Sequence, residues 1–290
     1  MRISVLIPVW QAADTVALAV QDALDQRWDA LEVLAIHQGP PDRSLAALQR
    51  IRDPRLSILR TEQAGTAAAL ELGRTAARGE WIARLDADDR CPPERLQEQV
   101  RWADRTGAQV VPCQWAPFPE GRERYALWQN ALLRHEEMAR ERFVEAPWMQ
   151  GTAIFRREAL QAVGGWHSGD FMEDYDQVLR LFAAGIRQEK LPQVCYRWRI
   201  HAAQDTLRRS LAEVRALKAR HLDLPPGAYV AGTGRSLQEW ALLLGRPAVS
   251  FDPRRPQNLP EGYPVLVFGS PQVRAALRRA LADRPHVFVA

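Results

Sequence analysis

The chain has 290 residues, 47% of them apolar and 26% charged. That suits one large domain, or one of about 200 residues with a small companion, and excludes a disordered chain. The formal charge of +4 suits anionic partners such as phosphates, nucleic acid or a membrane surface, without choosing among them.

Residues 3–9 are apolar and rich in β-branched side chains, so they read as a buried strand. Residues 14–25 place Val16, Ala19, Val20, Ala23 and Leu24 at helical spacing. A second strand is predicted over 31–36, a short helix over 44–51, a third strand over 56–60, and a helix over 67–77 that ends before Gly79. A fourth strand, 81–85, stops at a run of acids; Pro92-Pro93 then opens a helix to Asp104, with proline in the first turn where no amide partner is lost. Strands alternating with helices predict a mostly parallel sheet flanked by helices.

The middle is less regular. Residues 112–119 read as a loop carrying Trp115 and Phe118, and 122–143 as one helix. Residues 153–157, 159–163 and 178–184 continue an α/β pattern, and 207–221 form a charged helix. Pro225-Pro226-Gly227 marks the domain boundary. Beyond it, strands at 229–231, 248–251, 265–268 and 286–289 and helices at 236–244 and 271–281 predict a small Rossmann-like domain over 228–290. Its Gly232-Thr-Gly234 turn, with Asp252 after the next strand, is part of a dinucleotide fingerprint, but Leu237 stands at the third glycine position; a scaffolding turn is the favoured reading. Cys91, Cys113 and Cys195 are too scattered for a disulfide framework or a zinc site, which fits a reducing cytoplasm. No apolar run is long enough for a membrane span or a signal h-region.

The run Asp86-Ala87-Asp88-Asp89 lies at the carboxyl end of the fourth strand, where open parallel sheets bind ligands. Clustered carboxylates repel each other unless a cation joins them, and hard oxygen ligands suit Mg²⁺ or Mn²⁺, which can bridge a diphosphate. Taken alone, the run reads more readily as a polar loop capping the next helix.

Four blocks together resemble the family 2 glycosyltransferases. They are Ser4-Val-Leu-Ile-Pro-Val-Trp10; Ile82 to Asp89 followed by Pro93-Glu-Arg-Leu96; Gly151-Thr-Ala with Arg156 to Leu160, Gly164-Gly-Trp166 and Glu173-Asp-Tyr-Asp176; and Tyr196-Arg-Trp-Arg-Ile-His201. They stand in the family's order across residues 1–205. The resemblance implies a GT-A fold for residues 1–222, with a nucleotide-binding half at about 1–112, an acceptor half at about 113–205 and a trailing helix to 222. It also implies an inverting transfer from a nucleotide-sugar donor to a saccharide or lipid-linked acceptor, in bacterial surface polysaccharide synthesis. Nucleic acid is not among the implied partners. Asp88 would hold Mn²⁺ or Mg²⁺ on the donor diphosphate, Asp86 would contact the ribose or the metal, and His201 stands where some relatives supply a further ligand. Pro8, Val9, Trp10, Gln38, Arg84, Asp86, Ala87 and Asp88 would line the nucleotide-sugar site. Asp174 matches the general base, with Glu173 the runner-up, and Trp166 and Gly151 would contact the acceptor.

Departures from the family pattern keep a second reading open, a degenerate domain that binds a nucleotide sugar without transferring it. Relatives commonly carry two aspartates where this chain has His37-Gln38, and Arg-Asn where it has Leu70-Glu71, so the base is not implied to be uracil. Arg84 or Arg74 would then serve the phosphates, and Gln38 could still pair with a base edge. Tyr125, Trp128, Leu132 and Met138 form a stripe in the 122–143 helix; packing on the sheet is favoured over contact with a membrane surface, so the expected location is cytoplasmic, with the inner face of the membrane as the alternative.

Overall fold

The first strands, β1 (Ile3–Val9), β2 (Leu31–Gln38), β3 (Leu56–Thr61) and β4 (Trp81–Arg84), run parallel in the order β3-β2-β1-β4. Every residue of β1, β2 and β4 is buried, as expected of strands covered on both faces. Helices α1 (Val16–Leu24), α2 (Arg43–Leu48) and α3 (Thr66–Ala76) make the crossovers. The five apolar residues spaced along α1 all enter one core with Ile3, Val5, Ile7 and Val9. The computed structural model describes residues 1–201 and 210–290. They form two units, Met1–Glu137 with Trp148–Arg208, and Met138–Pro147 with Arg209–Ala290.

In the first unit, α4 (Arg95–Thr106) leads to β5 (Val110–Phe118). Helix α5 (Glu123–Ala131) follows, then α6 (His135–Glu141), whose residues from Met138 on belong to the second unit, and after it a 3-10 turn at Gln150–Thr152, β6 (Ala153–Arg156), α7 (Arg157–Ala162), α8 (Glu173–Ala183) and β7 (Leu191–Arg199). The seven strands lie in the order β3-β2-β1-β4-β6-β5-β7, with β6 antiparallel to both neighbours and β5 parallel to β7.

Two expectations for this stretch are corrected. Residues 112–119 are mostly strand rather than loop, because β5 meets β6 only over Val110–Pro112 and β7 only from Cys113 onward, leaving edges where Pro112 and Pro117 need no ladder donor. At Trp115 the Asn130 side chain substitutes for a strand, accepting from the Trp115 N–H at 3.1 Å and donating to its carbonyl at 2.8 Å. Residues 122–143 are two helices rather than one. Leu132 turns extended, and Glu137 Oε2 accepts the Leu133 and Arg134 N–H groups at 3.0 Å each. The aromatic stripe is therefore not one continuous helix face: Tyr125 stacks on Trp128 and leans on Trp115, and Met138 is fully buried. Among the described residues no helix is long and apolar enough to cross a membrane.

The second unit holds α9 (Leu211–Arg220), β8 (Tyr229–Gly232), α10 (Gly234–Leu244), β9 (Ala248–Ser250), β10 (Pro264–Val267), α11 (Pro271–Ala280) and β11 (Val287–Val289). Its four strands are parallel in the order β11-β10-β8-β9. Helix α9, expected to trail the first domain, belongs here. Lys218 Nζ donates to the carbonyls of Val144 and Ala290 at 2.8 Å each, and Arg215 Nη2 donates to Ser236 Oγ at 3.0 Å. A capping box between Ser210 and Glu213 starts the helix; the predicted residues 207–209 lie outside the described ones. Segment 138–147 joins the same unit through Glu141, which pairs with Arg274 at 3.1 Å and Arg278 at 2.6 Å. Helix α10 starts at the left-handed Gly234 (φ 67°), and the Asp252 carboxylate accepts the Arg254 N–H at 2.9 Å.

Candidate functional site

The site is built around the end of β4. The Leu85 N–H still reaches the Leu6 carbonyl at 3.1 Å, so Asp86 is the first residue clear of the sheet. A turn closed by the Asp89 N–H on the Asp86 carbonyl (3.1 Å) then carries Ala87 and Asp88. This acidic turn is fastened to β7. The Tyr196 hydroxyl donates to Asp89 Oδ2 at 2.5 Å and accepts the Asp86 N–H at 3.4 Å. The Arg199 N–H reaches Asp89 Oδ1 at 2.6 Å, and its Nε donates to the Asp88 carbonyl at 2.8 Å. Arg90 and Arg197 exchange backbone hydrogen bonds at 3.1 and 2.9 Å. Past the strand, His201 Nε2 lies 2.9 Å from Asp88 Oδ2.

The carboxylates carry more negative charge than their neighbours offset. Burial and the Asp86 charge raise the Asp88 pKa, despite His201. Burial, with Asp86 and Asp88, raises Asp89 well above the carboxylate range. Asp86 Oδ1 is held by Arg84 Nε at 2.8 Å. Burial opposes the charge of Arg84, yet Asp86, Glu173 and Asp174 raise its pKa above the ordinary value. Below the turn, the buried Arg95 donates through Nη2 to the Arg84 carbonyl (3.0 Å) and the Gly151 carbonyl (2.7 Å), and lies over the Tyr196 ring at 5.1 Å.

Among the described residues no three His, Cys, Asp or Glu side chains gather closely enough to hold a metal alone, so Asp86, Asp88 and His201 do not form a closed triad. The donor set still fits Mg²⁺ or Mn²⁺, which commonly use one or two carboxylates and take their other ligands from water and phosphate oxygens.

On the nucleotide side, Pro8 and Val9 are buried within β1 and Ala87 is buried in the acidic turn. Trp10 is half exposed and rests on Gly39, where an added Cβ would lie 2.6 Å from its ring. Gln38 ends β2 and is buried. Arg74, expected as a phosphate partner, is instead paired with Glu71 at 2.8 Å.

On the acceptor side, Glu173 and Asp174 open α8. Burial and Asp174 push Glu173 up to about 7, although Arg84 pulls it down. Burial raises Asp174 against the opposing pull of Arg84 and the Tyr175 N–H. Trp166 is 2% exposed, so it offers no ring face to an acceptor. Its Nε1 donates to Gln150 Oε1 at 3.1 Å, and Gln150 Nε2 donates to the Asp174 carbonyl at 3.1 Å. Trp166 thus steadies the start of α8 from within. Gly151 is likewise buried, beneath the acidic turn beside Tyr196.

Several site residues were missed from sequence. Asp89 stood in the acidic run without a role, and Tyr196 and Arg199 stood in the closing strand; only folding shows that the two segments meet. Arg95 stood in the Pro93-Glu-Arg-Leu96 stretch without a role, and Gln150 gave no signal, because a polar residue on a helix or turn reads as solvated by default.

Residues 4–164 match the family described as Glycosyl transferase family 2. The chain belongs to that family. The Succinoglycan biosynthesis protein ExoO of Rhizobium meliloti is 29% identical over 158 residues, covering 54% of this chain and 44% of that one; the chain thus spans about half the length of that relative. The fold is shared with S. aureus TarS 1-349 in complex with UDP-GlcNAc (TM-score 0.65, 16% identity, 98% of this chain and 80% of that one). It is also shared with the mannosyltransferase PcManGT from Pyrobaculum calidifontis in complex with GDP-Man and Mn²⁺ (TM-score 0.57, 23% identity, 76% and 61%). Both likenesses support the GT-A architecture.

Proposed function

We propose that the chain transfers a sugar from a nucleotide diphosphate to an acceptor hydroxyl with inversion, in the assembly of a bacterial saccharide. The observation that carries this reading is Arg84, which is bonded to Asp86 of the acidic turn at 2.8 Å and lies within electrostatic reach of Glu173 and Asp174 at the start of α8. A donor and an acceptor need such a pair of sites, one for a diphosphate and one for a proton.

Asp88, with His201 and Asp86, would hold Mn²⁺ or Mg²⁺, which would neutralise charge on the leaving diphosphate. Trp10 and Gln38 hold the base end of the donor. The acceptor oxygen attacks the anomeric carbon from the side opposite the diphosphate, the bond to the diphosphate breaks, and Asp174 takes the acceptor proton. Arg84 favours the ionised forms of Glu173 and Asp174, against the burial that raises both. The names of the relatives support a saccharide product, and those of the solved structures support nucleotide sugars with either uracil or guanine.

The test is a thermal-shift panel of nucleotide sugars with and without Mn²⁺, followed by transfer assays. A donor at 100 times its Kd adds about 2.7 kcal/mol to stability. Binding of a donor together with transfer or slow hydrolysis supports the reading. Binding with neither supports a domain that only holds the nucleotide sugar, and no binding to any donor refutes both.

A further inference from the structure

The acidic turn is aimed by a residue outside it. Tyr196 is 1% exposed, and its hydroxyl lies between two parts of the turn, accepting from the Asp86 N–H and donating to Asp89 Oδ2. Asp86 and Asp88 lie on either side of Ala87, so these two anchors fix the backbone from which both carboxylates project. The hydroxyl fits there only because residue 151 is glycine. A Cβ at Gly151 would lie 2.1 Å from the Tyr196 oxygen, 2.7 Å from its Cζ and 3.2 Å from Asp86 Oδ2. Arg95 holds the other two walls, donating to the Arg84 and Gly151 carbonyls while its guanidinium lies over the Tyr196 ring. The ring is thus fixed by packing and the hydroxyl by hydrogen bonds. Of the tyrosine's atoms, it is the hydroxyl that hydrogen-bonds the turn carrying Asp86 and Asp88.

We propose that the Tyr196 hydroxyl is a positioning group for cation binding, one that presents Asp86 and Asp88 to a divalent metal through Asp89 and the Asp86 amide, with Gly151 conserving the space it needs. This rests on the metal-dependent reading of the site given above. Tyr196 touches neither donor nor acceptor; it acts through the turn. Losing the hydroxyl leaves the buried Asp89 Oδ2 short of a donor, which costs more than an exposed hydrogen bond would, and the rest of the tyrosine serves the core whether or not the oxygen is present. Tyr196→Phe therefore separates the two roles. It leaves the ring under Arg95 and frees Asp89 Oδ2 and the Asp86 amide.

The experiment measures Mn²⁺ binding by titration calorimetry, alone and with UDP or GDP, on the full chain and three variants. Tyr196→Phe should weaken Mn²⁺ binding about tenfold while its melting temperature stays close to wild type. Where transfer can be assayed, the metal concentration for half-maximal rate should rise with it, and kcat at saturating metal should change little. Gly151→Ala, which pushes on the same oxygen from the opposite side, should reproduce the defect. Asp88→Asn separates the two levels of the argument. If Asp88→Asn binds Mn²⁺ like wild type, the metal reading itself is wrong. If Asp88→Asn loses Mn²⁺ but Tyr196→Phe and Gly151→Ala bind it like wild type, the positioning role is refuted and the metal reading stands. A Tyr196→Phe protein without a cooperative melting transition also overturns the proposal, because the hydroxyl would then serve the fold rather than the site.

Discussion

Glu173 and Asp174 open α8 side by side, and the charge on one opposes the charge on the other. Burial and Asp174 push Glu173 up to about 7, and burial raises Asp174 above its ordinary value as well. A base acts only when deprotonated, so transfer should fall about tenfold per pH unit once the pH drops below the raised pKa of Asp174. Two substitutions should move this acidic limb in opposite directions. Glu173→Gln removes the neighbouring negative charge, so Asp174 ionises more readily and the limb shifts to lower pH. Arg84→Met removes the cation that favours ionisation of both groups, so the limb shifts to higher pH. Asp174→Asn should lower kcat by about 10²–10⁴ with donor affinity nearly unchanged. Stability gives an independent reading of the same pair. The folded pKa of Glu173 lies above its ordinary value of 4.5. Between those two values the native state binds more protons than the unfolded chain, so stability falls as pH rises through the window. At about 1.4 kcal/mol per pKa unit, the full penalty is about 3 kcal/mol, reduced by solvent screening. Glu173→Gln should accordingly melt above wild type at about pH 8 and not at about pH 4. The assay is kcat against pH across the neutral range, with melting curves at the two extremes. A limb that stays put in both Glu173→Gln and Arg84→Met, or an Asp174→Asn enzyme as fast as wild type, would refute the assignment.

Asp88→Asn should abolish transfer and remove the effect of Mn²⁺ on donor affinity; donor binding and activity that survive EDTA would show that no metal is used. Glu141→Gln leaves the buried Arg274 and the partly buried Arg278 without their shared anion. Breaking such a buried pair costs about 3–5 kcal/mol, so the variant should melt well below wild type, and an unchanged melting temperature would count against that packing. Gly79→Ala should destabilise by at least about 1–3 kcal/mol, measured by urea unfolding, because its Cβ would lie 2.5 Å from the Ser4 nitrogen and 2.6 Å from the Trp81 oxygen, both backbone atoms with little room to shift.

The parallel half of the first sheet was legible because each strand is a short apolar run and each helix repeats its apolar residues at three and four. Periodicity reports local conformation and burial, and there the two coincide. It failed at β5, where Pro112 and Pro117 signal a break but sit on edges that need no donor. It also failed at residues 132–134, where a Glu137 side chain rather than a glycine or proline ends a helix. The site divides the same way. Asp86 and Asp88 stand out because they lie at the end of a strand, whereas Glu173 and Asp174 are found through the family resemblance. The ties that aim the acidic turn come from Tyr196 and Arg199, and pairing across about a hundred residues leaves no local trace. Trp166 shows the opposite error, since an aromatic residue in the right block need not present its face.

The base end of the donor cleft departs most from the family pattern, yet it is well ordered. His37 is fully buried, with Nε2 2.8 Å from Asp42 Oδ1. Asp42 caps α2 by accepting the Ser44 and Leu45 N–H groups, and Ser44 Oγ accepts the Ala12 N–H at 2.8 Å. Burial works to raise Asp42, but His37, Leu45 and Ser44 outweigh it and hold the group below its ordinary value. The carboxylate that relatives place on the second strand is thus absent, and the one at Asp42 is already occupied in bracing the turn. In the proposed reading, the base would meet the Gln38 amide and the Trp10 indole resting on Gly39. An amide both donates and accepts, whereas a carboxylate only accepts, so the native pocket should discriminate weakly among bases. Gln38→Asp should sharpen it toward uracil and guanine, whose ring N–H groups suit an acceptor, and away from adenine. The measurement is the ratio of dissociation constants for UDP, GDP and ADP with Mn²⁺ in the two proteins. An unchanged ranking would show that Gln38 does not meet the base.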